Sequence, residues 1–144
     1  MLDEIVDKEL KSSDAVDIKL EDIIKIAEVL RKIRSKYNDE LHQEEIKIYE
    51  QLAESLFELR LSKYLENGKI SGFDSFLFSL IETIKRFYVE FVTGKYQFYG
   101  NKVLCRVLNP FLYQNVRLNK GDLIALSLDK ALILTTAGYI TPNL

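Results

Sequence analysis

The stretch K-Y-Q-F-Y-G-N-K-V-L-C-R-V-L, residues 95–108, decides the fold, because the pattern of apolar residues changes within it. Before it, apolar residues recur every three or four positions, as they do along amphipathic helices. After it, short apolar runs alternate with turn residues such as N-K-G-D at 119–122, as they do between strands. The sequence therefore predicts an α+β protein: an N-terminal all-α helical bundle (1–94), a linker (95–101) and a small C-terminal β-rich domain (102–144).

Four helices are predicted in the N-terminal part, over residues 1–11, 20–37, 44–66 and 73–94. The third is apolar on more than one side, which is typical of a helix that is central in a bundle or shared with a second chain. The fourth has a wide, aromatic-rich stripe with more apolar surface than a three-helix monomer comfortably buries. This stripe is either an oligomer interface or part of a large, ordinary core.

The C-terminal part is expected to form strands over residues 102–108, 111–118 and 123–126. The turn at 119–122 should close a hairpin between the second and third of these. A short helix and a last strand at 139–140 should follow. A segment of about 43 residues seldom sustains a core alone, so it must dock on the helical body or on a partner.

Composition excludes several classes of protein. The chain has 144 residues, 47% of them hydrophobic, and no uncharged apolar run long enough for a membrane span. Its N-terminus is acidic and amphipathic and is not a signal peptide, so a cytoplasmic protein is expected. The single cysteine, Cys105, excludes an intramolecular disulfide and is expected to be a buried, inert thiol. One cysteine and one histidine cannot form a zinc site of the usual Cys/His type.

Charge is unevenly distributed along the chain. Residues 1–99 contain 15 Lys and Arg against 20 Asp and Glu, whereas residues 100–144 contain five against two. A basic tail is compatible with contact to nucleic acid or to an acidic partner. Five scattered charges do not form a patch, however, and a solvated surface is the favoured interpretation.

Residues suited to catalysis are scarce. His42, the only histidine, lies in a polar stretch where a solvated position at a helix start is expected. The carboxylates at 50, 54 and 58 resemble a solvated helix face, since bundle metal sites combine Glu with E-x-x-H motifs that are missing here. There is no phosphate-binding or dinucleotide-binding loop motif. We therefore predict no enzyme activity and no catalytic, metal or cofactor-binding residue.

Two cations stand out on the apolar third helix. Arg60 and Lys63 are one turn apart and project from the same side. They should meet the carboxylates of a neighbour, or phosphates; the alternative is intrahelical pairing with Glu58 or Glu66. A second group in the tail mixes aromatic and basic residues, as recognition surfaces do, although strand alternation could place some of its rings inside. Its members are Phe111, Tyr113, Arg117 and Lys120.

Three stretches together resemble an archaeal GINS complex subunit: D-E-I-V-D-K-E-L-K-S at 3–12, E-L-R-L-S-K-Y-L at 58–65, and R-V-L-N-P-F-L-Y-Q-N-V-R-L-N-K-G-D-L-I-A-L-S-L-D-K-A-L-I-L-T-T-A-G-Y-I at 106–140. The order of these pieces is a stronger signal than any one of them. A helical domain followed by a strand-rich one resembles the subunit type called GINS-fifteen or GINS-fifty-one.

The resemblance implies a non-enzymatic scaffold in DNA replication. Such subunits form a tetramer, either of four copies or, in a 2:2 arrangement, with a second GINS subunit whose strand-rich domain comes first. The tetramer would bind the MCM helicase and a RecJ-like factor at replication forks, in the cytoplasm and associated with the nucleoid. The alternative function is a nucleic-acid-binding adaptor that uses the basic C-terminal domain.

The resemblance also implies roles for particular residues. Candidates for contacts between subunits are Leu56, Arg60, Lys63, Tyr64, Phe76, Leu80, Ile84, Phe87 and Phe91. Candidates for partner binding in the small domain are Phe111, Tyr113, Arg117, Lys120 and Asp122.

Overall fold

Four helices precede the strands along this chain, and a fifth lies between the last two strands. A computed structural model describes residues 1–144 and contains five helices and six strands. The N-terminal region is helical and a small β-sheet domain follows, so the predicted α+β class is confirmed. The chain divides into two units, Met1–Phe78 (the N-terminal unit) and Ser79–Leu144 (the C-terminal unit). The predicted domain boundaries at 94 and 101 remain a prediction.

Three helices and the start of a fourth form the N-terminal unit: α1 Leu2–Lys11, α2 Leu20–Lys36, α3 Glu40–Asn67 and α4 Ser75–Val92. Helix α3 begins four residues earlier than predicted, because the Asp39 carboxylate accepts a hydrogen bond from the backbone N–H of His42 at 3.3 Å and caps the first turn. The core of this unit is built around four buried side chains from α1, α3 and the segment after α1: Leu2, Val6, Ile18 and Leu56.

The C-terminal unit contains the rest of α4, one further helix and all six strands. These are β1 Phe98–Tyr99, β2 Lys102–Val107, β3 Phe111–Tyr113, β4 Val116–Leu118, β5 Leu123–Leu126, α5 Leu128–Thr136 and β6 Ile140–Thr141. Strand β2 is central: β5 pairs with one edge of it, and β1 and β6 pair with the other, all antiparallel. Alternate residues of β2, Val103, Cys105 and Val107, are buried against α5 and α4, which places the core on one face of the sheet.

The predicted pairing of the tail strands was wrong. The segment 111–118 is not one strand but a hairpin of β3 and β4, and β5 pairs with β2 instead of β4. Gln114 and Asn115 both have positive φ, 52° and 64°, which makes the two-residue turn that suits a hairpin. The turn at 119–122 leads back to β2 instead, where the Val107 N–H donates to the Asp122 carbonyl at 2.8 Å.

The segment predicted as a linker is ordered around Tyr96. This side chain is buried, and its ring centroid lies 5.2 Å from that of Phe87 in the core of the C-terminal unit. Residues 98–99 of the same segment form β1. No helix of the chain combines the length and the apolar character that crossing a membrane requires.

Candidate assembly and partner-binding surfaces

Arg60 lies at the centre of a buried ionic cluster in the N-terminal unit, with a side chain only 1% exposed. Its Nε and Nη2 donate to the two carboxylate oxygens of Asp74, both at 2.7 Å. Its Nη1 donates to Glu9 Oε1 at 2.6 Å and to the carbonyl of Val16 at 2.7 Å, and Nη2 also reaches the carbonyl of Ser71 at 2.8 Å. All five N–H donors of the guanidinium are therefore satisfied.

Lys63 completes the cluster through the same glutamate. Its Nζ donates to Glu9 Oε2 at 2.6 Å, and the backbone N–H of Val16 donates to that oxygen at 3.1 Å. Burial alone would raise the pKa of the Glu9 carboxyl, but the hydrogen bonds from Lys63 and Arg60 outweigh it, so this pKa is lowered. Two cations and two carboxylates balance inside the fold, and the cluster joins α1, α3 and the segment before α4.

The carboxylates that Arg60 and Lys63 meet are those of other segments of the chain, not the intrahelical Glu58 and Glu66. Sequence reasoning missed Glu9 and Asp74 as their partners. A signal for Glu9 exists, because Leu2, Val6 and Glu9 follow each other at helical spacing and all three are buried. A carboxylate in that stripe must be compensated inside the fold.

The candidates for contacts between subunits differ in burial. Leu56, Arg60 and Tyr64 are buried within the N-terminal unit, Lys63 is nearly so, and Phe87 is buried in the core of the C-terminal unit. Phe91 is half-buried, with its ring centroid 5.6 Å from that of Phe98. The remaining candidates, Phe76, Leu80 and Ile84, are exposed. Contact of any of them with another chain stays a prediction, and exposure favours the last three.

An apolar ridge runs along α4 in the C-terminal unit. Leu80, Ile84, Tyr88 and Val92 follow each other at intervals of four residues, and all are exposed, Tyr88 by 68%. We call these four residues the α4 ridge. Side chains four apart lie on the same side of a helix, so they form one continuous strip. Leu80 and Ile84 are already candidates for contacts between subunits, and the ridge extends their exposed surface by Tyr88 and Val92.

The candidates for partner binding do not form a single patch. Phe111 and Tyr113 are half-buried, and Arg117 and Lys120 are exposed. The pairing of Leu112 with Arg117 puts Arg117 on the face of the hairpin opposite to the two rings. The Asp122 carboxylate accepts a hydrogen bond from the backbone N–H of Asn119 at 2.8 Å and thereby holds the turn.

The side chains of Cys105 and His42 are of reactive types, but their surroundings give them structural roles. Burial raises the pKa of the Cys105 thiol to about 11, which keeps it protonated and unreactive. His42 lies at the start of α3, where its Nδ1 is 2.6 Å from Asp39 Oδ1 and its ring stacks on Tyr37 with centroids 4.0 Å apart. A hydrogen bond from His42 lowers the pKa of the Asp39 carboxyl, which suits the capping role of this residue.

Comparison with protein families gives two matches in the order of the chain. The model of the N-terminal domain of the GINS complex Gins15 protein matches residues 1–74, and that of the Gins15 C-terminal domain matches residues 94–144. No curated protein and no solved structure matches. GINS subunits are non-catalytic scaffold proteins that act in DNA replication and assemble with other GINS subunits. Because the first match alone spans more than half of the sequence, the chain belongs to the Gins15 family of GINS complex subunits.

Proposed function

We propose that this Gins15-family chain is an archaeal scaffold subunit that links the MCM replicative helicase to a RecJ-like factor at the replication fork. It does so as part of a tetramer of two copies of this chain and two of a second GINS subunit with its strand-rich domain first. It works without a cofactor, in the cytoplasm at nucleoid-associated forks. The proposal rests on the α4 ridge, which gives the subunit an exposed apolar surface for assembly.

The α4 ridge supports assembly because its side chains are large, apolar and contiguous. Leu80, Ile84 and Tyr88 leave apolar area in water along three successive turns. Burying apolar area contributes about 25 cal/mol per Å², and the cores of stable interfaces are enriched in such aromatic and aliphatic residues. Phe76, which is 66% exposed in the N-terminal unit, is a further candidate for the same kind of contact.

Recruitment of the partners is assigned to the C-terminal unit on the basis of its charge. This unit has eight Lys and Arg against four Asp and Glu, whereas the N-terminal unit has 12 against 18. Arg117 and Lys120 are exposed on the hairpin and on the turn that follows it. Exposed charge of one sign steers an oppositely charged partner and sets the rate of association more than the affinity.

Affinity purification of the tagged chain from its native host, at moderate salt and with mass spectrometry of the co-eluting proteins, tests this function. The proposal expects a strand-first GINS subunit in equal amount, together with MCM and a RecJ-like protein. Recovery of nucleic acid alone, with binding that falls steeply as salt rises, would contradict it and favour the nucleic-acid-binding adaptor.

A further inference from the structure

One edge of the central sheet is unpaired along β5. The Val107 N–H on β2 donates to the carbonyl of Asp122, so this carbonyl faces β2, whereas the Asp122 N–H donates to the Asn119 carbonyl within the turn. Backbone groups alternate in direction along a strand, so the N–H and C=O of Ile124 face β2, and those of Leu123 and Ala125 point away from it. The opposite edge of β2 agrees with this register, because the Leu104 N–H donates to Gln97 on the side of β1. Strand β2 is the only strand with which β5 pairs.

A groove lies along this open edge, between β5 and the β3–β4 hairpin. Its volume is about 460 Å³, and all of its walls belong to the C-terminal unit. The hairpin contributes Val116, Leu118 and Tyr113, and β5 contributes Ile124 and Ala125. Val116 is exposed, and Leu118, Tyr113 and Ile124 are half-buried, so apolar surface is accessible beside unpaired backbone groups. An exposed strand edge of this kind is a template for a further strand.

Two lysines line the groove without a carboxylate partner. Lys102 and Lys130 are exposed, and no carboxylate lies within ion-pair distance of either. The Nζ of Lys130 donates to the Tyr113 hydroxyl at 3.1 Å and lies 5.5 Å from the centroid of that ring. Asp129, the nearest acidic neighbour in sequence, hydrogen-bonds Ser127 instead. The groove therefore combines apolar side chains with two lysines that form no ion pair.

We propose that this groove receives an extended acidic and apolar peptide segment of a partner protein, which adds to β5 as a new strand. The inference rests on the proposed recruiting role of the C-terminal unit and specifies the chemistry of its partner. The segment pairs its backbone with Leu123 and Ala125, as in other cases of strand addition. Its apolar side chains pack on Val116, and its carboxylates meet Lys102 and Lys130.

Other occupants fit these features less well. A nucleic acid would use the two lysines but has no backbone that pairs with a strand edge. A second copy of this chain would bring a C-terminal unit with the same excess of positive charge, and repulsion between like charges opposes such pairing. An acidic extended segment satisfies the strand edge, the apolar walls and the lysines together.

The test titrates the full chain with a short fluorescent peptide in which valine and aspartate alternate. Two matched peptides serve as controls: one with lysine in place of aspartate, and one with alternate backbone amides N-methylated, which cannot pair with a strand edge. We expect the first peptide to bind and both controls to bind at least about tenfold more weakly. In the complex, hydrogen exchange of the Leu123 and Ala125 amides should slow.

Charge reversal separates the groove from general electrostatics. The double variant Lys102→Glu, Lys130→Glu should bind the acidic peptide at least about tenfold more weakly than the wild-type chain. Lys95→Glu, at an exposed lysine of the same unit outside the groove, should leave the affinity within about twofold. Equal weakening by both changes would overturn the proposal.

Three further results would also overturn it: equal binding of the N-methylated peptide, displacement of the peptide by an oligothymidine strand, or self-association of the chain through β5 that excludes the peptide.

Failure of the proposed scaffold function would be a separate result from failure of the groove. Peptide binding at the groove without capture of MCM or a RecJ-like protein would reject the proposed function and keep the groove, whereas capture without peptide binding would reject the groove.

Discussion

At the scale of single residues, the Arg60 cluster shows how this small protein accommodates charge in its interior. A buried cation costs several kcal/mol in desolvation unless its geometry and hydrogen bonds compensate. Here Arg60 has two carboxylates and two backbone carbonyls around one guanidinium, at 2.6–2.8 Å. Because these acceptors come from α1, the segment after it and the segment before α4, the cluster specifies how three parts of the chain meet α3.

Removing the central cation should therefore be strongly destabilising. Arg60→Ala leaves the carboxylates of Glu9 and Asp74 buried beside a cavity, and we expect a loss of about 3–5 kcal/mol in the free energy of unfolding. Urea denaturation followed by circular dichroism measures it. The matched control is Arg34→Ala, which breaks an exposed pair with Glu50 and should cost less than about 1 kcal/mol. Equal losses in the two variants would show that the cluster does not hold the fold.

The Glu9 carboxyl gives the cluster a pH dependence with a definite sign. Its pKa is lowered in the folded chain, so its contribution to stability is present above the unfolded value, about 4.3, and is lost as the pH falls through the lower folded value. The stability difference between wild type and Glu9→Gln should therefore shrink as the pH falls below about 4.3. Urea melts between neutral pH and about pH 3 measure this difference.

The exposed Glu54 supplies the control for that experiment. Glu54→Gln removes a carboxylate without touching the cluster, so its stability difference from the wild type should stay small throughout. A Glu9→Gln difference that stays constant or grows in acid would contradict the assigned hydrogen bonds.

How much of this cluster the sequence predicts depends on how far apart its members lie along the chain. A charge on an apolar helix needs a counter-charge, so Arg60 and Lys63 could be recognised as members of an ionic site from local pattern alone. Their partner Glu9 could not be assigned in the same way, since it lies 51 residues from Arg60 and meets it only through helix packing. Nor does an apolar pattern distinguish a core from an interface: Leu56 and Phe87, both candidates for contacts between subunits, are buried within the chain, and their contact with another subunit stays a prediction.

At the scale of elements, the segment between α1 and α2 contacts the segment between α3 and α4, and this contact fixes the path of the chain from α3 to α4. Ile18 and Gly72 form a parallel bridge, and the Phe73 N–H donates to the Ile18 carbonyl at 2.9 Å. Gly72 has φ of +116°, and a Cβ there would lie 2.9 Å from both the backbone N and O of Ile18. Glycine at this position is needed for space as well as for conformation.

The crowding at Gly72 gives a prediction that a second glycine, with open space around it, can control. Gly72→Ala should lower the free energy of unfolding by about 2–5 kcal/mol, from backbone strain and from overlap with the Ile18 backbone. Gly68→Ala, at the end of α3, has φ of +74° but nothing within 4 Å of the added carbon, and it should cost about 1–2 kcal/mol. Equal losses, measured by urea denaturation, would mean that the contact with Ile18 is unimportant.

The strand pairing shows where local pattern stops being informative. The helices could be predicted to within a few residues, since their periodicity is long and regular. The hairpin of β3 and β4 could not, because its turn uses Gln114 and Asn115 in the left-handed conformation without any glycine to mark it. Once that turn is missed, β5 is assigned to the wrong neighbour, although its position in the sequence is right.

At the scale of the whole molecule, the order of the two parts could be predicted because the long helical periodicity of the sequence ends near residue 95 and short strand patterns follow it. Assembly could be predicted from the residues as an excess of apolar surface on the fourth helix, but the pattern does not separate candidates that are buried within the chain from those that are exposed. The structure shows which part of this apolar surface is accessible: Phe87 is buried within the chain, whereas Leu80, Ile84 and Tyr88 are exposed. We therefore propose the α4 ridge as the surface through which the subunit assembles.

The most direct measurement is the mass of the complex formed with the second GINS protein after co-expression, by sedimentation equilibrium, for two matched variants. Ile84→Asp places a charge on the α4 ridge, and Ile133→Asp makes the same change at an exposed isoleucine of α5. We expect the wild type and Ile133→Asp to form the tetramer, and Ile84→Asp to dissociate to smaller species with an unchanged circular dichroism spectrum. A tetramer of unchanged stability with Ile84→Asp would contradict the assignment of the ridge.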